Sequence, residues 1–385
     1  MRSSRSRAPG QADRERRAKP IAAEGLRLQA GRLRPRCRDV SHTPQAAAFE
    51  VALLSPENED WRGFAATHAI SPLQHPGWLD TLTGAYRLRA QIIALRDSQG
   101  AILAGLPMIA SKLPWRSRWT SLPFTDTLEP VALDREYRDQ LLLAVAGHGA
   151  AQPVLVRTHA ALSGWSSRQV GTVQVIDLSD GAEGVLRGAD THHRRSVSRA
   201  HRPQAGLAAR PITDRSEFLG PNLTLIAHAR RRLGAPTQPR RYWSRLWKLH
   251  ERNQALTIGV YLDGKLTANG IFLIGPDHAV YKYGASDLAT RRLRTSYLMF
   301  ATAFDHIAAR GVRSLDFGIT DLHNTTLRDF KSRWGGEEQP AHFSATDSSM
   351  LPSTLEPGRL LTKTIQSTPV FVGRTIGSVA YPFAA

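Results

Sequence analysis

Two cations near the C-terminal end of the chain, Arg328 and Lys331, are spaced so that together they could hold an anion. They lie one helical turn apart, so their side chains can reach the same place. Leu327, Phe330 and Trp334 follow the i, i+3, i+7 spacing of an apolar helix face. The two cations fall off that face, and the pattern therefore predicts that both point to solvent. A surface helix with two solvated charges explains the spacing equally well.

The residues before this helix predict the element that positions it. Leu315 and Phe317 alternate with Asp316, as in a short strand that ends at Gly318. The polar run 320–326 then contains residues that cap helix starts. The segment is therefore predicted to be a strand, a loop and a helix that together handle an anion.

Two aspartates occupy equivalent places in the chain and are candidate proton acceptors. Asp126 and Asp287 each follow a predicted strand, where a carboxylate could take a proton from an attacking amine. A loop-capping role is the alternative for both residues.

Basic clusters supply candidate phosphate ligands, because guanidinium groups bind phosphate bidentately. The candidates are Arg194, Arg195, Arg292 and Arg294. Tyr283 is a candidate for the wall of an acceptor site, with core packing as its alternative. The His192-His193 pair shows no carboxylate at ligand spacing in the sequence, so no metal site is predicted.

Composition narrows the function classes. The 385 residues carry a formal charge of +18 and one cysteine, which excludes an internal disulfide and fits a reducing, cytoplasmic location. Residues 1–45 contain twelve basic and four acidic residues, and this Arg-rich segment is predicted to be a disordered tail. The chain lacks a Walker loop, a Gly-x-Ser-x-Gly elbow and a dinucleotide fingerprint, so transfer by positioning and electrostatics is favoured.

An internal repeat predicts the domain organisation. A helix, a hairpin, a strand with a following aspartate, a helix and a strand occur twice, about 165 residues apart. This pattern predicts an α/β fold built from two similar units. We place the units at 46–190 and 191–345, with residues 346–385 packing back on them.

Several motifs of the second unit resemble the Fem-type peptidyltransferases, whose units have the fold of GNAT N-acyltransferases. The motifs are Tyr-Lys-Tyr-Gly-Ala-Ser-Asp (281–287), Arg-Arg-Leu-Arg-Thr-Ser-Tyr-Leu (291–298), Asp-Phe-Gly-Ile-Thr (316–320) and Leu-Arg-Asp-Phe-Lys-Ser-Arg-Trp-Gly (327–335). The first unit resembles the same family through Ser-Leu-Pro-Phe-Thr-Asp (121–126). The branch of closest resemblance is associated with exopolysaccharide and cell-envelope genes.

The resemblance implies two tandem GNAT-like domains and an enzyme that transfers an acyl or aminoacyl group to an amine of an envelope-related acceptor. It implies no tightly bound cofactor, with acyl-CoA or aminoacyl-tRNA as the donor, and a functional lysine at Lys331. Lys331 is therefore predicted to be catalytic, and Arg328 and Trp334, in the same motif, are predicted to bind donor or substrate. Lysine is uncommon here, at seven of 51 basic residues, which independently draws attention to Lys331.

Two alternatives to an enzyme remain open from the sequence. The basic charge also suits a nucleic-acid-binding protein, and the fold could serve as a non-catalytic scaffold. No apolar run approaches the ~20 residues that span a bilayer. The expected partners are therefore an anionic donor and a small-molecule or envelope-precursor acceptor, with tRNA and peripheral membrane contact as further candidates.

Overall fold

The computed structural model describes residues 49–110, 118–148, 152–352 and 358–381. The strands are β1 (Phe49–Leu54), β2 (Ala90–Asp97), β3 (Ile102–Ala110), β4 (Trp119–Ser121), β5 (Val131–Ala132), β6 (Val154–Thr158), β7 (Ser166–Asp177), β8 (Leu207–Pro211), β9 (Ala255–Leu262), β10 (Lys265–Ile274), β11 (His278–Ser286), β12 (Ser314–Asp316), β13 (Thr320–Asp321) and β14 (Glu337–Ala345). The helices are α1 (Glu59–His68), α2 (Pro76–Tyr86), α3 (Arg135–His148), α4 (Gly181–Gly188), α5 (Thr191–Ala200), α6 (Arg215–Glu217), α7 (Leu223–Arg232), α8 (Arg240–Glu251), α9 (Thr295–Ala308), α10 (Thr325–Ser332), α11 (Arg359–Ser367) and α12 (Val370–Ala380). The predicted disordered tail, residues 1–45, lies outside the described residues.

The elements of the repeat occur in the predicted order. In the first half α2 precedes the β2–β3 hairpin, β4, α3 and β6; in the second half α8 precedes the β9–β10 hairpin, β11, α9 and β12. The second hairpin turns at Asp263-Gly264, where both residues have positive φ, 49° and 75°, as a two-residue hairpin loop requires. The predicted division into two domains is not settled by this order and stays a prediction.

All of these strands belong to one sheet, which the two halves build by exchanging strands. Its order is β1-β2-β3-β4-β6-β14-β7-β12-β11-β10-β9-β8, and the short strands β5 and β13 pair with β3 and β7 outside this path. β7, which follows the first half's β6 in the chain, pairs with β12 of the second half. β14, the last strand of the second half, pairs with β6 of the first. The central strands β7 and β14 also pair with each other, so the halves share a continuous hydrogen-bonded ladder.

The strand exchange predicts that the second half is not stable alone. A fragment of residues 191–385 lacks β6 and β7, so β12 becomes an open edge and β14 loses both of its partner strands. We expect this fragment to aggregate or to lose cooperative thermal unfolding, measured by size exclusion and circular dichroism. Extending it to residues 161–385 restores β7 and should recover part of the folded population. A monomeric, cooperatively unfolding 191–385 fragment would contradict the expectation.

Two large apolar cores lie against this sheet. The first core contains Trp61, Trp78 and Trp243, and the second contains Phe304 and Trp334. α11 and α12 pack on α7. None of the helices in the described ranges is long and apolar enough to cross a membrane.

The parallel strand pair β11–β12 opens where the candidate site lies. The two strands pair at only three positions, ending at Val280 and Asp316, and β11 then continues to Ser286 paired with β10 but not with β12. Two strands that separate leave a gap that side chains or a ligand must fill. Here the gap is lined by the loop after β12 and by α10.

Candidate active site

Lys331 does not point to solvent. Its side chain is only 4% exposed, and its Nζ donates to the carbonyl oxygen of Gly318 at 2.6 Å. The prediction that both cations of α10 face outward is therefore wrong for Lys331. α10 is a short helix whose Lys331 edge packs against the loop after β12, and a spacing pattern cannot identify such a neighbour. The ammonium group of Lys331 is thus held beside the loop that follows β12.

Asp316, the last residue of β12, is the buried carboxylate of the site. It is 3% exposed, and its Oδ1 accepts the backbone N–H of Gly318 at 2.6 Å. Gly318 has φ 74°, and a Cβ there would come within 3.0 Å of the Tyr281 carbonyl oxygen and 3.2 Å of Asp126 Oδ2. Only glycine fits this turn without strain, and the turn brings Asp126 against the end of β12.

Asp126 comes from the first half and is held by a second buried lysine. Lys282 Nζ lies 3.3 Å from Asp126 Oδ1, with the two side chains 6% and 14% exposed. The same ammonium lies 5.6 Å from the centre of the Trp78 ring, whose indole N–H donates to Thr125 at 2.9 Å. A buried pair of this kind needs well-fixed partners to offset its loss of hydration.

The loop that carries Asp126 has an uncommon backbone. Leu122 and Phe124 both have positive φ, 26° and 61°, in a region that side chains disfavour. Arg157 fastens this loop by donating to the carbonyl oxygens of Ser121 at 2.6 Å and Leu122 at 3.3 Å. Strained backbone of this kind is commonly kept where a side chain must be placed for function.

Lys282 reaches Asp126 because β11 contains a bulge. Ile271 of β10 pairs with Tyr283 and the next residue, Phe272, pairs with Tyr281, so Lys282 is the extra residue. In a regular strand Tyr281 and Tyr283 would face the same side. Instead Tyr281 packs against the second core and Tyr283 against the first.

Asp126, Lys282, Asp316 and Lys331 form a largely buried charged cluster. Burial and charge move the pKa values of two of its members toward each other. Burial, and then the charge of Asp126, raise the pKa of Asp316. Burial lowers the pKa of Lys331, although the charges of Asp126 and Asp316 oppose this shift. A carboxyl that holds its proton more tightly and an amine that holds it less tightly can exchange a proton at low cost near neutral pH.

A cavity of about 400 Å³ begins at Lys331 and opens beside β11. Its floor is aromatic, with Tyr281, Phe300, Phe317 and Phe330. Its walls also include Arg232, Arg291 and Arg294. A second cavity of about 700 Å³ shares Arg232 and Leu288 with the first. Together they form a cleft with an apolar floor, basic walls and one buried ammonium.

The start of α9 contributes to the same cleft. Thr295, Ser296 and Tyr297 line it, and Arg294, the N-cap residue, makes no side-chain capping bond. The N-terminus of this 14-residue helix therefore lacks a side-chain acceptor from its cap and favours an anion. Arg294 adopts φ 64°, the left-handed conformation that a glycine would supply in a glycine-rich phosphate loop.

Residues 191–346 match the family model described as "Acetyltransferase (GNAT) domain". The chain carries a GNAT acyltransferase domain. The matched GNAT domain includes β11, α9, β12 and α10, and so contains Lys331, Lys282, Asp316 and the cleft. A search of curated proteins found no match to the sequence.

Solved structures agree with the fold. The structure of FemX superposes with a TM-score of 0.60 at 16% identity, covering 77% of this chain and 96% of that chain. The C-terminal domain of a putative lysylphosphatidylglycerol synthetase from Agrobacterium fabrum gives 0.52 at 14% identity, with 77% and 93% covered. L-PGS from Bacillus licheniformis gives 0.51 at 14% identity, with 84% and 98% covered. The α/β, GNAT-like fold expected from the sequence is confirmed; the family branch stays a prediction.

Some predicted binding residues lie outside the GNAT cleft. Arg328 is on α10 but forms an ion pair with Glu338. Trp334 is 1% exposed within the second core. Tyr283 donates to or accepts from the Tyr242 hydroxyl at 2.8 Å and lies in the first core. A binding role for these three residues stays a prediction.

The other candidates are distributed around the GNAT domain. Arg294 lines the cleft, whereas Arg292 is exposed beside it. Asp287 caps the 3₁₀ helix that follows β11, accepting from Ala289 N at 3.0 Å, and borders the second cavity. Arg194 and Arg195 line a separate groove on α5. The structure thus brings Lys331 and Asp126 together at the cluster and places Asp287 elsewhere.

Sequence reasoning missed two members of the cluster, Lys282 and Asp316. The rarity of lysine, which drew attention to Lys331, applies equally to Lys282. Asp316 was assigned to the polar side of a short strand. That side is buried by the first half, and this could not be read from alternation alone.

Proposed function

We propose that this protein is an N-acyltransferase that moves an acyl group from an anionic activated donor to an amine. The observation that carries the proposal is the buried Lys331 at the inner end of a basic, aromatic-floored cleft in a GNAT domain. The donor binds in this cleft with its phosphate groups at the start of α9 and its reactive carbonyl toward Lys331. Acyl-CoA is the donor we favour, and aminoacyl-tRNA is the alternative.

Each step of the transfer has a group to serve it. The amine attacks the donor carbonyl carbon, a C–N bond forms, and the carbonyl oxygen becomes negative. The Lys331 ammonium stabilises that oxyanion. Asp316, next to Asp126, takes the proton that the amine loses. The C–S or C–O bond then breaks, and the leaving group receives a proton through Lys331, which Asp316 resupplies.

Exposed leucines at the cleft favour an amphipathic acceptor. Leu233, Leu288 and Leu327 are exposed large apolar residues that line the first cavity. Apolar residues interleaved with arginines suit a molecule with both a lipid-like and an anionic part. This supports the proposal of a cell-envelope or polysaccharide-related acceptor and of peripheral membrane contact.

A donor screen tests the function. The full chain is incubated with a panel of acyl-CoA thioesters or aminoacyl-tRNAs and with amine acceptors, and mass spectrometry detects the acylated amine. Arg294→Ala is expected to raise the donor KM about tenfold, the effect of ~1.4 kcal/mol of lost anion binding. Arg215→Ala, an exposed arginine on α6 that lines none of these cavities, is the matched control and should leave KM unchanged.

The screen also separates the alternatives. Transfer only from aminoacyl-tRNA would replace the favoured donor and keep the transferase. No transfer from any donor, together with salt-sensitive binding of nucleic acid, would favour the nucleic-acid-binding alternative.

A further inference from the structure

Asp190, His192 and His193, at the start of α5, form a cluster outside the cleft. One ligand atom from each lies within 4.8 Å of the others. The sequence showed no carboxylate at ligand spacing for the histidines, and this premise was wrong. Asp190 Oδ1 lies 3.3 Å from Nδ1 of His193. Asp190 is the N-cap residue of α5, and this position brings its carboxylate next to the two histidines.

His193 is in a position that a neutral imidazole cannot satisfy. The ring is 1% exposed, with Nε2 3.0 Å from the carbonyl oxygen of Phe330 and Nδ1 facing Asp190. Both neighbours are acceptors, whereas a neutral ring has one N–H. Nδ1 makes no hydrogen bond within the described part of the chain.

A metal ion at Nδ1 removes this conflict. Nε2–H then donates to the Phe330 carbonyl, which is the usual second contact of a metal-bound histidine. Zinc bonds to nitrogen and oxygen are about 2.0–2.2 Å, so two ligands of a tetrahedral zinc lie about 3.3–3.5 Å apart. The Nδ1 to Oδ1 distance of 3.3 Å fits that separation.

We propose that Asp190, His192 and His193 bind a zinc-type divalent transition metal, with one coordination position left to water. Two donors already orient the carboxylate. The backbone N–H of His193 donates to Oδ1 at 2.8 Å, and Arg333 donates to Oδ2 at 3.3 Å. The exposed His192 completes the ligand set from the solvent side.

The metal ties α5 to the helix that carries Lys331. The Phe330 carbonyl, which receives the His193 N–H, belongs to the residue before Lys331. The ion is therefore a positioning element and not part of acyl transfer. The inference stands on His193 geometry alone and does not depend on the proposed function.

The test is metal binding by the full-length chain after chelation and desalting. Cobalt(II), as a spectroscopic substitute for zinc, is titrated while its visible absorption is recorded, and zinc is then added to displace it. We expect near-stoichiometric uptake with tetrahedral cobalt bands. His192→Ala should weaken binding at least tenfold, and this exposed position leaves the fold intact. His306→Ala, an exposed histidine on α9, is the matched control and should bind as the unchanged chain does.

A second readout, thermal unfolding, does not depend on the absorption of cobalt. Zinc should raise the Tm of the unchanged chain and of His306→Ala but not that of His192→Ala, since a ligand that binds only the folded state stabilises it. Asp190→Asn retains a helix-capping residue and should also lose the zinc effect. The proposal is overturned by a chain that takes up no metal, or by His192→Ala binding as tightly as the unchanged chain.

Discussion

Replacing Lys331 with methionine is expected to lower kcat by about 10²–10³-fold, the typical effect of removing one group that stabilises an oxyanion. The methionine side chain is similar in length to that of lysine, and it is apolar, so it can occupy the buried position. The ammonium that would meet the developing charge is lost, along with its bond to the Gly318 carbonyl. The donor KM should change little, because the arginines and the start of α9 remain.

The measurement is steady-state kinetics with the donor found in the screen, together with thermal unfolding. Lys363→Met, on an exposed lysine of α11, is the matched control and should keep full activity. The Tm of Lys331→Met should stay near that of the unchanged chain, because a buried charge is replaced by an apolar group. Turnover within threefold of the unchanged enzyme would remove Lys331 from the chemistry.

Asp316→Asn is expected to reduce turnover by about 10²-fold or more, the usual contribution of a general base. The same change should increase stability at alkaline pH. The pKa of Asp316 is raised in the folded state, so between the unfolded value near 4 and the raised value the folded chain binds the extra proton. The contribution of Asp316 to the stability of the unchanged chain therefore falls as the pH rises from the unfolded pKa to the raised one. Asparagine carries no charge and avoids this loss.

Thermal unfolding at two pH values tests the direction of this pH dependence of stability. The Tm of Asp316→Asn should exceed that of the unchanged chain at pH 8, and the gap should shrink toward pH 5, where the unchanged carboxyl is increasingly protonated. The same comparison with Asp139→Asn, on an exposed residue of α3, is the control. A lower Tm at pH 8 would contradict the assignment of Asp316 as a buried, costly carboxylate.

Asp126→Asn separates the two carboxylates kinetically. The charge of Asp126 contributes to the raised pKa of Asp316, so its removal should move the acidic limb of the pH–rate profile to lower pH. Loss of all activity with no shift of the limb would instead make Asp126 the base.

The local elements and the repeat could be predicted from neighbouring residues in the chain. Asp263-Gly264 predicted its hairpin because positive φ at both positions is a local requirement that few residues meet. Alternation and helical spacing likewise predicted the order of elements, whereas the chemistry that the motif around Lys331 indicates stays a prediction. These properties depend on neighbours in the chain.

Which charges are buried together depends on packing between distant parts of the chain. Asp126 and Lys282 are 156 residues apart and meet because the strand ends of the two halves face each other and a bulge turns Lys282 toward the first half. Asp316 and Lys331 likewise become buried, rather than solvated, through packing across that junction. β7 and β14 exchange partners between the halves for the same reason. Long-range pairing is set by which surfaces can be buried together, and a pattern of neighbouring residues carries no record of it.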